Sequence, residues 1–391
     1  MKEPSHRRRQ NESVARDRRG CGCLLLFLVI VLGGAALIFY YLIWPKWREK
    51  PPPPSGGELR VHILDVGQGD SILIVSPEGK VALIDAGDTG NGDHIAQAMR
   101  RAGVQQIDLF IASHAHADHI GAADEVFARF PVKKVLDTGL APPSRSASDE
   151  NTQERGRART TRTRGEVVLP TTKAYRDFLA AVERSGAEYI KAEPGQRFDL
   201  GGGAVITVLA PTEPLFTADQ LRAGGSVQNA NSIVARLDYG DFSMLLMGDA
   251  EAQTEERLID RGANLRARVL KIGHHGSRYA TSERFLRIVR PDAAVISCGY
   301  DNRYGHPSQE VLDRLRAAGV RLYRTDLQGE ITIATRGGRE FDVKTERPAG
   351  EDVWVGRRPV RDDSDRSGFV AYGEFGEPRR KKRERAAGDG R

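Results

Sequence analysis

The sequence predicts an α/β (α+β) chain in which two β-sheets stack face to face under outer helices, preceded by a single transmembrane helix. Three observations carry this reading. A long uncharged apolar run comes first, period-2 apolar runs separated by turn residues begin at Arg60, and from Asp93 strands alternate with helical patterns before strands return near the end.

The elements follow in chain order. No side chain between Arg19 and Lys46 is charged, and residues 21–44 (CGCLLLFLVIVLGGAALIFYYLIW), at about 1.5 Å per residue, span a hydrocarbon core of roughly 30 Å. Phe39, Tyr40, Tyr41 and Trp44 close this run as an interfacial aromatic belt, which favours an uncut anchor over a cleaved signal. Arg7, Arg8, Arg9, Arg16, Arg18 and Arg19 crowd residues 1–20, so the positive-inside rule places that end in the cytoplasm and everything after Lys50 outside the cell membrane. Residues 45–58, with Pro51 to Pro54 before Ser55-Gly56-Gly57, form a stiff and then flexible spacer.

A folded domain is expected over 59–345. RVHILDV, SILIVS and VALIDAG read as adjacent antiparallel strands, with Pro77-Glu78-Gly79 turning between the last two. Asp93 to Arg101 is a helix, Ile107 to Ala112 a buried strand, Ile120 to Phe130 a helix and Tyr175 to Ser185 another. Ala204 to Ala210 is a strand. Ser232 to Leu237 and Phe242 to Met247 form a hairpin around Tyr239-Gly240-Asp241. The helix Ala252 to Asp260, the strands Val269 to Ile272 and Ala293 to Ser297 around the helix Ser282 to Ile288, and the helix Gln309 to Ala318 complete the alternation. Two last strands lie near Arg321 and Ile331. Residues 141–165 read as a mobile loop whose segment Arg155 to Arg164 holds five arginines and no acid. From Gly337 apolar residues thin out, and 346–391 reads as a disordered basic tail.

Charge and cysteine usage narrow the function classes. The net charge of the 391 residues is +6, and residues 1–50 alone hold ten Lys/Arg against four Asp/Glu. Glu377 to Arg391 holds seven Lys/Arg against three acids, so the body between is mildly acidic and is no general nucleic-acid sponge. The three cysteines, Cys21, Cys23 and Cys298, build neither a disulfide framework nor a zinc ribbon. A bound metal must therefore rest on His and Asp.

Those residues are concentrated in one place. Ser113-His114-Ala115-His116-Ala117-Asp118-His119 sets three imidazoles and a carboxylate directly after an apolar strand, a group too costly to desolvate unless it shares charge, and a ligand set suited to zinc, manganese or iron. His114 and His116 point one way from an extended loop while Asp118 and His119 start the next turn, so the four can serve two metals. LLMGDAE and VLKIGHHGS end later strands in Asp249 and in His274-His275, where loops gather.

In order, HILDVGQGDSILI, LIDAG, SHAHADHIGA, NSIVARLDYGDFSMLLMGDAE, VLKIGHHGS and YGHPSQEVL resemble the metallo-β-lactamase-fold domain of ComEC-type DNA-uptake (competence) proteins, from about Leu59 to Thr335. The HxHxDH run marks only the superfamily; the DVGQGDS, HHGS and YGHP elements point to the ComEC-like branch. The resemblance implies an αββα sandwich with a dinuclear centre of two divalent metal ions, zinc or else manganese, in which His114 and His116 hold the first metal, Asp118 and His119 the second, and Asp249 bridges. It gives His274 as the last ligand of the second metal, with His275 the alternative, and makes Asp85 the structural Asp that holds the His loop. No His stands from Ile120 to Gly273, so the first metal lacks a third imidazole, and Asn231 or solvent is expected to complete it. The DNA-uptake proteins carry many membrane helices, whereas this chain has one and is not itself a pore.

The chemistry expected is a membrane-anchored metal-dependent hydrolase, a phosphodiesterase or nuclease, that activates water at the two metals with Asp118 beside it. His275, Ser277 and His306 are the candidates to touch phosphate or to protonate the leaving oxygen, and Asp70 either supports the site or caps a turn. A nuclease would use Arg155 to Arg164 for phosphate contact. The competing readings are a hydrolase of a small ester or phosphoester of the cell envelope and a non-catalytic membrane-tethered binding protein. Arginine outnumbers lysine 47 to 12, which suits a GC-rich bacterial genome.

Overall fold

The computed structural model describes residues 57–143 and 171–359. The expected anchor at 21–44, most of the 141–165 loop and the tail beyond 359 lie outside the described residues. Among the described residues no helix is long and apolar enough to cross a membrane.

Among the described residues, fifteen strands form two sheets. The first sheet draws on β1 (Leu59–Ile63), β2 (Ile72–Val75), β3 (Val81–Ile84), β4 (Leu109–Ile111), β5 (Lys134–Asp137), β6 (Glu188–Lys191), β14 (Ile331–Thr335) and β15 (Asp342–Thr345), in the order β15-β14-β1-β2-β3-β4-β5-β6. The second draws on β7 (Arg197–Asp199), β8 (Ala204–Ala210), β9 (Val234–Tyr239), β10 (Phe242–Leu246), β11 (Val269–Lys271), β12 (Ala293–Ile296) and β13 (Arg321–Arg324), in the order β13-β12-β11-β10-β9-β8-β7. Strand β1 lies antiparallel to β14, with Leu59 opposite Thr335 and Ile63 opposite Ile331, so the two ends of the domain close one sheet.

Alternation decides which way each strand faces. Ile72, Ile74, Ala82, Ile84, Leu109 and Ile111 turn into the core between the sheets, where they meet Leu237, Phe242, Met244 and Leu246. Leu73, Val81, Leu83 and Phe110, one residue out of phase, face the outer helices with Ile95, Met99, Val126 and Phe178. Leu245, Leu270 and Ala294 do the same on the far side, against Leu258, Phe285 and Leu312. Both faces of each sheet are thus covered, which is why these strands read as near-continuous apolar runs.

Several expectations change. The helix expected over Ile120 to Phe130 is two short ones, Ala117–Ile120 and Ala123–Phe127. At Gly121 the chain passes so close to the Asp88-Thr89 turn that a Cβ would lie 2.5 Å from the Thr89 amide nitrogen. The last described strand, β15, pairs with β14, and the expected tail is packed as far as described: a 3-10 turn at Glu351–Trp354 leads to Arg357, whose Nε meets Asp326 Oδ2 at 2.7 Å. Arg324, wholly buried, holds the same carboxylate through Nη2 at 2.7 Å and donates through Nη1 to the carbonyls of Val353 and Val355. This paired arginine cluster straps 353–357 to the body, against the disorder that its composition predicts.

Candidate metal centre

The site is built where β3, β4, β10, β11 and β12 end. Asp85, just past β3 in the left-handed region at φ 60°, turns its carboxylate onto the start of the His loop. Its Oδ1 accepts the Ser113 amide at 2.7 Å, and its Oδ2 accepts both the Ser113 hydroxyl at 2.6 Å and His119 Nδ1 at 2.7 Å. One buried carboxylate therefore fixes both ends of the loop. Because a carboxylate only accepts, His119 Nδ1 carries a proton and donates it to Asp85, which leaves Nε2 facing the site. Burial lifts the Asp85 carboxyl above its ordinary pKa, opposed by His119.

Two groups of ligating atoms converge, His114 with His116 and Asp249, and Asp118 with His119 and His275. Asp249 faces both. Its Oδ2 lies 3.7 Å from His114 Nε2, and its Oδ1 lies 3.3 Å from His119 Nε2 and 3.4 Å from His275 Nε2. His275 Nε2 is also 3.3 Å from Asp118 Oδ2 and 3.3 Å from His119 Nε2, while His114 Nε2 and His116 Nδ1 are 3.0 Å apart.

These spacings fit divalent cations. Neutral imidazoles turned toward one another and toward carboxylate oxygens have nothing to donate, so the cluster calls for shared positive charge, from a divalent cation or, with none bound, from protons on His119 and His275. A tetrahedron with bonds of about 2.0 Å has edges of roughly 3.3 Å, the separation seen among these atoms. Asp249 Oδ1 is buried without a hydrogen-bond partner, as expected of an atom facing a cation.

The charges respond accordingly. Burial opposes ionisation of His119, yet Asp249, Asp85 and Asp118 outweigh it and hold its pKa well above the ordinary value. Burial would raise Asp118, but the rings of His119 and His275 hold it below the carboxylate range. Asp249 is depressed in the same way, against burial, by His275, His119 and His274. Burial and the neighbouring His119 drive His114 well down, so it presents a neutral ring.

The HHGS loop reverses one expectation. His274 and His275 both lie in the left-handed region, at φ 46° and 52°, and this turn sends the two rings in different directions. His275 enters the group with Asp118 and His119, donating from Nδ1 to the Ser297 carbonyl at 2.9 Å so that Nε2 faces inward. His274, expected as the ligand there, instead donates from Nδ1 to Glu251 Oε1 at 2.8 Å and stays partly exposed, its Nε2 3.8 Å from Asp249 Oδ2.

Other expected residues sort by contact. Asn231 does not reach the metal groups: its amide is spent on the Phe216 backbone (2.9 and 3.0 Å) and on the Val227 carbonyl at 2.8 Å. Asn229 comes nearer, donating from Nδ2 to Asp249 Oδ2 at 3.4 Å. Ser277 is buried, and its hydroxyl accepts the Tyr279 amide within its own loop. His306 stacks beside His274 with ring centroids 5.3 Å apart, and burial with the nearby His274 and His275 pushes its pKa down to about 3. Asp70 sits behind His275 and pairs through Oδ2 with Lys271 Nζ at 2.7 Å. Gly69 makes this possible, because at φ 135° it passes the Asp118 carbonyl so closely that a Cβ would lie 2.2 Å away.

Sequence reasoning missed Lys271, Glu251 and Asn229. Glu251 ends the quoted LLMGDAE motif, and an acid two residues after a ligand Asp was the signal available; Asn229 lies two residues before the quoted NSIVARL run, and Lys271 carried no signal beyond being a charge inside an apolar strand.

Residues 64–213 match the metallo-beta-lactamase superfamily. The chain is 31% identical over 292 residues to ComE operon protein 3 of Bacillus subtilis, covering 70% of this chain and 33% of that protein. It is 30% identical over 293 residues to competence protein ComA of Neisseria gonorrhoeae, covering 74% and 34%. The chain thus spans about a third of the length of these relatives. A metallo hydrolase from the archaeon Ignicoccus hospitalis aligns over 70% of this chain and 98% of its own at 15% identity and a TM-score of 0.40. The domain and its His/Asp groups imply divalent metal ions and support a metal-dependent hydrolase. Over residues 64–213 the chain thus matches the metallo-beta-lactamase superfamily, and over 292 and 293 residues it is similar to segments of two bacterial competence proteins.

Proposed function

We propose that the protein is a membrane-anchored phosphodiesterase, with zinc, or else manganese, at two adjacent sites. The observation that carries this reading is the single carboxylate of Asp249 set between two His/Asp groups. His114, His116 and Asp249 Oδ2 would hold one ion, and Asp118, His119, His275 and Asp249 Oδ1 the other. Bound there, such ions supply a water of lowered pKa and polarise phosphoryl oxygens. The chain's own residues do the rest. Glu251 keeps the proton of His274 on Nδ1, so that ring turns Nε2 toward the mouth, and the Asn229 amide stands beside Asp249 to orient an incoming oxygen.

Metal analysis of the full chain in detergent, followed by turnover of bis(p-nitrophenyl) phosphate, tests the proposal. We expect close to two metals per chain and cleavage that chelator abolishes and metal restores. Two metals without diester cleavage would favour the small-ester hydrolase, and a metal-free, inactive protein would favour the tethered binder.

The proposed anchor is residues 21–44, with the hydrolase domain outside the cell membrane. Full-length protein should pellet with membranes through an alkaline carbonate wash, and external protease should reach the domain in intact spheroplasts. Release by carbonate, or protection from protease, would reject that topology.

A further inference from the structure

Among the described residues, three of the large exposed side chains are tyrosines on loops of the metal site: Tyr279, Tyr300 and Tyr304, at 41%, 58% and 52% exposure. Tyr279 follows the HHGS turn. Tyr300 and Tyr304 stand on the loop after β12, which also carries His306. Each ring has an arginine against it, with guanidinium carbons 3.5 Å (Arg222), 3.8 Å (Arg357) and 5.2 Å (Arg303) from the respective ring centroids.

Two of these rings lead into the site. From Tyr304 the neighbouring ring is His306, 5.8 Å between centroids, and the next is His274 at 5.3 Å. From Tyr279 the path runs through Arg222, whose Nη2 meets Glu251 Oε1 at 3.0 Å, the same oxygen that holds His274. Tyr279 and Tyr304 therefore reach His274, and with it Asp249, by separate routes.

Rings this exposed contribute little to the core, and the arginines fix their orientation while adding positive charge. An exposed aromatic face with a cation beside it is what an unpaired base stacks on. A duplex keeps its base faces inside its own stack and offers such a ring nothing comparable.

We propose that Tyr279 and Tyr304, each with its arginine, form a stacking platform for unpaired bases next to the phosphodiester presented to the metal centre. The scissile group rests on the phosphodiesterase reading above; the binding surface does not.

The test measures binding apart from cleavage. Full-length protein carrying Asp249→Asn, in detergent, is titrated by fluorescence anisotropy against a labelled oligothymidylate and against an abasic strand of equal length. Adding Tyr279→Ala or Tyr304→Ala should weaken oligothymidylate binding roughly tenfold each and leave the abasic strand unaffected, while the Phe variants keep wild-type affinity. Equal binding of the two strands, or equal weakening of both by the Ala variants, would overturn the platform. Tyrosine-dependent binding by a protein that fails to cleave the diester would sink the phosphodiesterase reading and leave the platform standing.

Discussion

On the proposed phosphodiesterase reading, Asp249→Asn is expected to lower diester turnover by at least about a thousandfold while the protein stays folded. The carboxylate is 2% exposed, and each of its oxygens faces a different ligand group. Asn keeps the shape, removes the charge and turns an N–H₂ donor toward one set of lone pairs. Bound metal should fall well below two per chain, while circular dichroism and the thermal transition stay near those of the metal-free wild type. Undiminished turnover, or two metals still bound, would reject the shared-carboxylate centre.

The second large effect lies behind the site. Lys271→Ala should destabilise the protein by about 3–5 kcal/mol, because it strands the Asp70 carboxylate in the interior. Lys271 is 0% exposed, and its Nζ donates to Asp70 Oδ2 at 2.7 Å and to the Ile272 carbonyl at 3.1 Å. The pair ties β11 of one sheet to the β1–β2 loop of the other. Replacing both partners, Lys271→Met with Asp70→Leu, should recover most of the loss, since neutral apolar groups leave no buried charge unpaired. Denaturant unfolding of the two single variants and the double closes the cycle. A cost under about 1 kcal/mol for Lys271→Ala, or no recovery in the double, would contradict this account.

Much of this arrangement was legible because its parts are local. The HxHxDH run, Asp85 and Asp249 each follow a strongly apolar strand, and strand ends are where a two-sheet sandwich gathers its loops. The choice between His274 and His275 was not legible, because a reversed backbone turn aims consecutive rings apart and residue type does not encode that reversal. Asn231 looked suitable by type, yet its amide was already committed to Phe216 and Val227. Strand β6 escaped notice because it is an exposed edge, Glu188-Tyr189-Ile190-Lys191, with no buried face to print a pattern. The strap at 353–357 escaped because its stability comes from Arg324 and Asp326, some thirty residues upstream of Arg357. Composition averages over such pairings.

The pairing of β1 with β14 bears on how the domain is made. Strand β1 is the first synthesised of the described strands, and its partner emerges about 270 residues later, which at ~5–20 residues per second is a wait of roughly fifteen seconds to a minute. Until then Leu59, Val61 and Ile63 have no β14 beside them, and one row of backbone donors and acceptors stays open. The nascent chain is therefore most prone to mispairing before release from the ribosome, and a chaperone that shields this edge would act during translation.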